Sequence, residues 1–470
     1  MKTYQLILGG ITIAAASALA TRNNLSIPDF QSPVNVITTP DRPAASASPV
    51  ITETPVAETP KSHSETAAKS KPKCVFRTAF EAEGIDPAMK YPMPAKVSRS
   101  LDRSLEFLAD AQNKDGGWGA GTHSRQDLMD PHAVKSDPAT TAMVAMGLLR
   151  SGNTLESGPY HTELKQATTF LLEAVEESGK NDLNITQLTG TQPQVKLGKN
   201  IDVSLTSQYL TNLLEQAVDD TQLRSRIRKA IKVCVDKIQM GQNADGSQSG
   251  SGWAGVLQSS FAANALETAQ DQGIEVPAEI LDKARDYQKN NIDIKTNDVA
   301  TESAAGVVLY SVSGSARASA KEAAEAKDAI KAAKKEGKLS PDAEITVDNL
   351  EKSGMSRSKA MKYTTAYRVN QSANQMAQKD EVMSGFGNNG GEEFLSYLQT
   401  GEGLIMSKDE SWKNWYEKMT GRLLEIQNND GSWSGHHCIT SPVFCTATSV
   451  LILAITNDVQ YLVNEAKQKN

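Results

Sequence analysis

The amino-acid sequence predicts an all-α protein whose folded part is a closed ring of six helical hairpins, an (α/α)6 toroid. Three observations lead to this prediction. Apolar residues recur at the three- and four-residue spacing of amphipathic helices. One motif that ends helices occurs three times. Small apolar helices also alternate with longer charged helices along the chain. Together these patterns indicate a repeated hairpin rather than an irregular bundle.

The motif that ends helices is Gln-Asn-x-Asp-Gly, found at 112–116, 242–246 and 427–431. Asn and Asp tolerate left-handed backbone and Gly adopts it without steric cost, so this string ends a helix and reverses the chain. A tryptophan follows each copy, and we expect it to pack between hairpins. The predicted structural repeat residues are Gln112 and Trp118, Gln242 and Trp253, and Gln427 and Trp433.

Two classes of helix alternate along the chain. Small apolar helices suit an inner layer that is buried on two sides, whereas charged amphipathic helices suit an outer layer with one wet face. Six polar starts lead into small apolar helices, near Asp137, Asp202, Val256, Asp298, Gly390 and Thr440. The charged helices between them are predicted at about 97–111, 161–177, 221–240, 277–290, 356–379 and 410–427.

The N-terminal part predicts export. Residues 1–20 combine a Lys, an apolar stretch and the small-x-small site Ala18-Leu19-Ala20, as in a signal peptide. An uncleaved membrane anchor is the alternative. Residues 21–90 are rich in Pro, Ser, Thr and Ala and are predicted to be a disordered linker. We expect a protein of the periplasm, cell envelope or extracellular space, with no transmembrane domain after cleavage.

The remaining boundaries follow from composition. The toroid is predicted over 91–460, with a C-terminal tail at 461–470. Residues 315–354 begin with a run of Ala, Lys and Glu that has little apolar stripe, which predicts a solvated helical insertion. The net charge of −7 provides no basic surface of the kind that binds nucleic acid. The oligomeric state stays open.

Four cysteines have different expected roles. An oxidising compartment would permit disulfides. Cys234 lies within an amphipathic helix and is expected to be a buried thiol. Cys438 and Cys445 could pair with each other or with Cys74, and the sequence leaves this connectivity open.

Candidate catalytic residues lie at the predicted starts of inner helices. All inner helices of such a ring start on one rim, so Glu392, Glu393 and Asp298 should converge there with His436 and His437. Carboxylates beside imidazoles supply acid–base chemistry. Helix capping is the alternative for acidic residues, and we favour it for Asp137, Asp202 and Asp298. His436, His437 and Cys438 are also candidate metal ligands, with turn structure or a disulfide as alternatives.

Several stretches resemble the prenyltransferase and squalene-cyclase repeat superfamily, including its bacterial exported members. They are the Trp turns at 112–118 and 427–433, Ser-Asp-Pro-Ala-Thr-Thr-Ala at 136–142 and Gly-Gly-Glu-Glu-Phe-Leu-Ser-Tyr at 390–397. The resemblance implies a terpenoid cyclase-like toroid. The known catalytic strings are absent: Asp-x-Asp-Asp of class II terpenoid cyclases, Asp-x-Cys of zinc-dependent protein prenyltransferases, and Gly-Cys-Gly-Glu-Gln of complement-type relatives.

The leading functional hypothesis is an exported ring protein that binds an apolar or polymeric ligand without that known chemistry. One alternative is an enzyme that transforms isoprenoids or cleaves polysaccharides with the carboxylates and histidines at the ring mouth. A second is a structural interaction module, which a ring plugged by its own side chains would favour. Whether the chain is an enzyme, and which ligand or cofactor it uses, stays open at this stage.

Overall fold

The computed structural model describes residues 85–215, 220–387 and 389–468, with side chains up to 464. The predicted signal peptide, most of the predicted linker and Cys74 lie outside the described residues. The linker prediction extends too far, because residues 85–90 belong to the folded domain. Ile85 and Met89 are buried in the main core, and the Met89 carbonyl accepts a hydrogen bond of 3.0 Å from the Trp412 indole.

Six inner helices form the predicted closed ring. Each packs against the next, and the last packs against the first. The all-α toroid prediction is therefore confirmed. The inner helices in chain order are α2 (Pro138–Arg150), α5 (Ile201–Leu214), α7 (Gly255–Asp271), α9 (Val308–Lys335), α13 (Gly391–Met406) and α15 (Pro442–Leu453).

Six outer helices surround this ring, and each packs on one or two inner helices. They are α1 (Ala95–Asp110), α3 (His161–Glu177), α6 (Thr221–Gly241), α8 (Ala278–Lys289), α11 (Arg357–Ala377) and α14 (Trp412–Glu425). Three short α-helices and a C-terminal α-helix also lie in the described part: α4 (Gln192–Lys196), α10 (Val347–Lys352), α12 (Asp380–Met383) and α16 (Ile455–Gln468). Four 3-10 helices of three residues each lie in the loops of that part, at Pro87–Met89, His123–Arg125, Pro131–Ala133 and Glu302–Ala304.

The C-terminal helix α16 is part of the domain rather than a tail. Leu462 and Val463 are buried, and the helix packs against α2, α13 and α15. The predicted domain end at residue 460 is therefore too early. The stretch Pro442–Asn464 is long and apolar enough to cross a membrane, with a mean hydropathy of 1.5, but 89% of its apolar window is buried inside the protein. A core helix of a soluble domain has the same character.

The chain's own side chains fill the interior of the ring. Every residue of α2 and every residue of α15 is buried. Ser260 of α7 donates a hydrogen bond of 3.1 Å to the Gln399 side chain of α13, although these two helices are separated in the ring by α9. A ligand would therefore meet this ring at a rim rather than inside a wide tunnel.

The predicted solvated insertion at 315–354 differs from what the structure shows. Helix α9 runs unbroken through its first part, and Ser315, Arg317 and Glu322 are all buried there. Small Ala and Ser side chains let neighbouring helices approach closely, so this helix packs without a stripe of large apolar residues. Only its later part leaves the ring, where Ile330 and Leu350 anchor a small separate core with α10 and α11.

Candidate functional site at one rim of the ring

The rim where the inner helices begin, called the start rim here, carries two buried aspartates with different roles. Asp137 caps α2: its Oδ1 accepts from the Thr140 backbone N–H at 2.8 Å, and its Oδ2 accepts from Ala120 at 2.9 Å. Asp202 is not a cap, because Asn200 occupies the N-cap position of α5. Its Oδ2 accepts from Gln194 at 2.8 Å, whereas its Oδ1 has no hydrogen bond of normal geometry among the described residues, although the Ala139 backbone lies near the carboxylate. Burial, and then the nearby Asp137, raise the pKa of Asp202 to about 8.

The two successive glutamates of α13 also differ. Glu393 is fully buried and its carboxylate is well bonded. Its Oε1 accepts from the Tyr310 hydroxyl at 2.7 Å and from the Phe386 N–H at 2.8 Å, and its Oε2 accepts from the Gly390 N–H at 2.9 Å. The last contact satisfies the backbone N–H of the N-cap residue of α13, although Gly390 has no side chain to return a second bond. Glu393 therefore holds the local structure together.

Glu392 has the character of a functional group. It is 2% exposed, and its hydrogen bond from the Ile439 N–H is long, at 3.4 Å. Burial, followed by repulsion from Glu393, raises its pKa to about 7. Its side chain also contacts the Cys438 thiol. A carboxyl group with this pKa exchanges a proton readily near neutral pH.

His437 and Cys438 meet Glu392 at the same point. One ligand atom from each of these three residues lies within 4.8 Å of the others. Among the described residues, His437 makes no side-chain hydrogen bond of normal length: it contacts the Phe386 backbone, and its Nε2 lies 3.9 Å from Oε2 of Glu393. Burial lowers the pKa of His437, which favours the neutral imidazole that binds metals.

Local backbone geometry brings Glu392, His437 and Cys438 together. Cys438 has a φ of +60°, a left-handed conformation that is uncommon for a non-glycine residue and that clusters at functional sites. Gly390 has no room for a side chain, because a Cβ there would lie 2.7 Å from both the His437 ring and the Glu393 carboxylate. The double glycine before the two glutamates thus lets the loop of His437 pack directly on α13.

Two of the predicted site residues lie apart from this cluster. His436 is exposed, and its Nδ1 lies 3.2 Å from the Asn389 carbonyl. Asp298 is exposed in a turn ten residues before α9 begins, where its described hydrogen bonds are to Asp293 and Thr296. The structure therefore brings together Glu392, His437 and Cys438, together with the structural Glu393.

Lys196 is a site residue that the sequence analysis missed. It ends α4, is 5% exposed, and hydrogen-bonds the Cys438 side chain. Gln192 fixes α4 in place because its side-chain oxygen accepts from the backbone N–H groups of Thr440 and Ser441, at 2.7 and 3.1 Å. In the sequence, this helix start is indicated by the capping box Thr191-x-x-Gln194, which contains Pro193 in the first turn.

The three tryptophan turns are not equivalent. Trp118 and Trp433 are fully buried, and the indole of each donates to a carbonyl ten residues earlier, Leu108 and Leu423, at 2.7 and 2.8 Å. The backbone N–H of each also donates to a threonine hydroxyl of the following inner helix.

In the second copy, Gln248 takes the place of the tryptophan. Its side chain donates to the Ile238 carbonyl, again ten residues earlier, and its N–H donates to the Ser259 hydroxyl. The expected packing role of Trp253 is therefore filled by another residue. Gln242 behaves like the other two glutamines of the repeat, since its side chain donates to a carbonyl of the next outer helix, that of Ile280.

The displaced Trp253 lies beside the candidate site. It is 67% exposed, and the Lys196 ammonium lies 4.3 Å from its ring centroid. On another side, Phe386 is 63% exposed and makes an edge contact with His437, with 5.2 Å between the ring centroids. Two exposed aromatic rings therefore border one cluster in which Glu392 is buried and His437 and Cys438 are partly buried.

The three described cysteines are free thiols, so Cys438 and Cys445 do not bond to each other. Cys234 is buried, as the sequence predicts, and burial raises its pKa to about 12. Burial and the neighbouring Glu392 likewise raise the pKa of Cys438 to about 12. A nucleophilic cysteine needs a lowered pKa, so Cys438 without a further cation is not an activated nucleophile.

Comparison with known proteins agrees with the class of fold. Residues 87–197 match the family model of the squalene-hopene cyclase C-terminal domain. The match confirms the predicted resemblance to the prenyltransferase and squalene-cyclase superfamily, and it covers the chain from just before α1 through α4. Comparison with curated proteins gives no match.

Solved structures of the type II terpene cyclase MstE from Scytonema are similar to this chain. The apo enzyme is 15% identical with a TM-score of 0.41, covering 80% of this chain and 99% of that one. A variant of MstE in complex with geranylgeranyl dihydroxybenzoate is 14% identical with a TM-score of 0.40, covering 77% and 98%. At these values the similarity carries no argument about chemistry.

Proposed function

We propose that this chain is an exported, squalene-cyclase-like ring protein that binds a zinc-type metal ion at its start rim. The observation that carries the proposal is the meeting of Glu392, His437 and Cys438 within 4.8 Å. Carboxylate oxygen, imidazole nitrogen and thiolate sulfur are all zinc ligands. Three protein ligands leave a fourth position for water or a ligand, as catalytic zinc sites do.

The chemistry of the three donors supports a cation in this place. Tetrahedral zinc bonds of about 2.0–2.3 Å put ligand atoms roughly 3.3–3.8 Å apart, so the described spacing needs only a small contraction. The buried Glu392 and the partly buried Cys438 both have raised pKa values, which a metal ion would reverse. Within the described part of the chain, metal binding would cost His437 only its contact with the Phe386 backbone.

Lys196 supplies positive charge where the metal would bind. Its ammonium hydrogen-bonds Cys438 and also lies over the Trp253 ring. Metal binding would therefore displace this contact with Cys438, and the long Lys side chain can turn toward solvent while its stem stays packed. A bound metal ion would polarise an oxygen of a ligand or activate a water molecule.

The bordering aromatic rings support an apolar or extended ligand over this rim. Ligand sites combine apolar and aromatic surface with a few placed polar groups. Trp253 and Phe386 supply such surface on two sides of the cluster, while the ring interior is filled. We therefore place the ligand across the ring mouth, in contrast to the deep cavity that a cyclase-like fold suggests.

Metal analysis of the purified protein tests this proposal. We expect about one zinc or cobalt ion per chain, with the absorption bands of thiolate-bound cobalt. Cys438→Ser, His437→Gln and Glu392→Gln should each weaken binding by about tenfold or more, whereas Cys234→Ser removes a remote buried thiol and should leave binding unchanged. Zinc that binds equally well to all four variants would refute the site.

Acid–base catalysis without a metal is the second candidate, favoured by the pKa of Glu392 near 7. In that case Glu392 and His437 would move protons for an enzyme that transforms an isoprenoid or cleaves a polysaccharide. Turnover that survives complete metal removal, but is lost in Glu392→Gln, would favour this candidate over the metal site.

A further inference from the structure

A second region of the protein has the geometry of a binding site. The later part of α9, helix α11 and the segment before α10 enclose a groove of about 680 Å³. Its size falls in the range of small-molecule sites. It lies away from the start-rim cluster and is lined by Lys327, Lys331, Lys334 and Arg368, with Glu344 as the acidic group of the lining.

The charge of this groove opposes that of the protein as a whole. Four cationic side chains face one carboxylate, in a chain with a net charge of −7. Like charges brought together repel one another unless counter-charges compensate them. In the described part of the chain, neighbouring cations are compensated: Lys408 pairs with Asp328 at 2.7 Å and Lys362 pairs with Glu322 at 3.1 Å.

The cations that line the groove are compensated less well. Lys327 donates to the Ser407 carbonyl at 2.8 Å, at the C-terminus of α13, and interacts with the carboxylates of Asp409, Asp328 and Glu410. It is therefore compensated and has a structural role, unlike the other cations of the lining. Lys334 lies near the fully exposed Asp342, where water screens the interaction. Lys331 and Arg368 are exposed and have no ion pair among the described residues.

A second groove of about 520 Å³ provides a comparison. It lies on α6 and is also lined by four cations and one carboxylate. There Arg224 donates to the Leu214 carbonyl and Arg228 donates to the carbonyls of Gln272 and Gly273, so both arginines cap the ends of inner helices. Lys232 pairs with Asp236. Those cations are largely used by the fold, which leaves the α9–α11 groove as the candidate binding site.

We propose that the groove between α9 and α11 binds the phosphate group of a small phosphate ester. Arg368 offers a planar fork that matches phosphate oxygens, and Lys331 and Lys334 add charge. Tyr367, Gln371 and Thr346 line the same groove and supply neutral hydroxyl and amide groups for the rest of the ligand. The phosphate comes from a soluble ester or from the head group of a phospholipid.

Two probes at physiological salt separate these sources. Inorganic pyrophosphate titrated into the full chain tests the soluble source. Sedimentation with phosphatidylcholine vesicles, with and without phosphatidylglycerol, tests the lipid source. Lys331→Gln combined with Lys334→Gln should weaken binding by about tenfold or more, because both cations lose their charge-assisted bonds to the phosphate oxygens.

Matched changes in the other groove provide the control. Lys229→Gln combined with Lys232→Gln removes the same charge and should change binding less than about twofold. Arg368→Lys keeps the charge but removes the fork, and it should also weaken binding. The proposal is overturned if both double variants lose binding equally, if neither probe binds the wild-type chain, or if an acidic peptide binds more tightly than both probes. Thermal melts confirm that each variant is folded.

Discussion

Buried charged side chains are paired to different degrees at the two rims of the ring. At the end rim, where the inner helices finish, acids and bases pair in a continuous series. Arg150 contacts Glu402 at 2.8 Å and Arg317 contacts Glu267 at 2.9 Å. At the start rim, Asp202 and Glu392 are buried with too few partners, and their pKa values are raised to about 8 and about 7. Buried charges that are paired stabilise the fold, whereas buried charges that are incompletely paired are typical of functional sites.

Glu267 shows how complete the pairing is at the end rim. Burial alone would raise its pKa, but Arg285 and Arg317 outweigh burial and lower the pKa to about 2. Lys289 and Glu322 extend the series with a contact of 2.9 Å. Arg317 and Glu322 both lie in the buried part of α9. The sequence predicts solvated surface for this part.

Breaking this series should have the largest effect on stability. Glu267→Gln removes the carboxylate that two buried arginines share and leaves them only longer contacts, Arg285 with Glu322 at 4.0 Å and Arg317 with Glu402 at 3.7 Å. Breaking a buried pair in this way typically costs about 3–5 kcal/mol. Urea denaturation at pH 7 measures the loss. The control is Asp236→Asn, which breaks the exposed pair with Lys232 and should cost less than about 1 kcal/mol. Equal small losses would show that the end rim is hydrated rather than closed.

The tryptophan turns sharpen the comparison between structural and functional residues. Trp433→Ala removes a fully buried indole and its hydrogen bond, so we expect a loss of about 3–5 kcal/mol. Trp253→Ala removes an exposed side chain and should change stability by less than about 1 kcal/mol. Thermal melts of both variants decide this, and a large loss for Trp253→Ala would mean that it packs after all.

The sequence predicts the ring well because the ring follows from periodicity. Alternating small and charged helices, together with the motifs that end helices, specify which elements are inner and outer. Helix boundaries that depend on loops are less predictable. The sequence predicts that an inner helix begins near Asp298, whereas α9 begins at Val308. Local capping rules favour an acidic helix start, but nothing local distinguishes a start from a turn.

The candidate site could be predicted only in part. The sequence predicts that Glu392 lies near His437, because chain topology places both at the starts of neighbouring inner helices. The structure has them close together. Lys196, Tyr310 and Phe386 reach the cluster through tertiary packing that no spacing in the sequence encodes. The replacement of the repeat tryptophan by Gln248 was visible as Gln-Asn-Ala-Asp-Gly-Ser-Gln, but only the two hydrogen bonds of Gln248 establish the equivalence.

The titration of Asp202 provides a test of the start rim. Its raised pKa means that its contribution to stability is present at low pH, below its unfolded-state pKa, and is lost as the pH rises through about 8. We expect the wild type to lose about 4 kcal/mol relative to Asp202→Asn between pH 5 and pH 9, because each pH unit up to about 8 contributes about 1.4 kcal/mol. Asn keeps an acceptor for Gln194 but cannot ionise. Parallel pH profiles of the two proteins would show that Asp202 is solvated.

The smallest effect, and the most informative, is expected from the adjacent pair Glu392 and Glu393. The raised pKa of Glu392 means that its stability contribution disappears as the pH rises through about 7. In metal-free buffer at pH 8, Glu392→Gln should therefore stabilise the protein by about 3 kcal/mol, and by less than about 1 kcal/mol at pH 5. Removing a functional group commonly stabilises a fold in this way.

Glu393→Gln should instead destabilise the protein by about 1–3 kcal/mol, because it weakens three hydrogen bonds of a buried carboxylate. Denaturation of both variants at the two pH values measures this contrast. If Glu392→Gln destabilises the protein at pH 8 as much as Glu393→Gln does, then Glu392 is structural too, and the start rim is simply a second closed end.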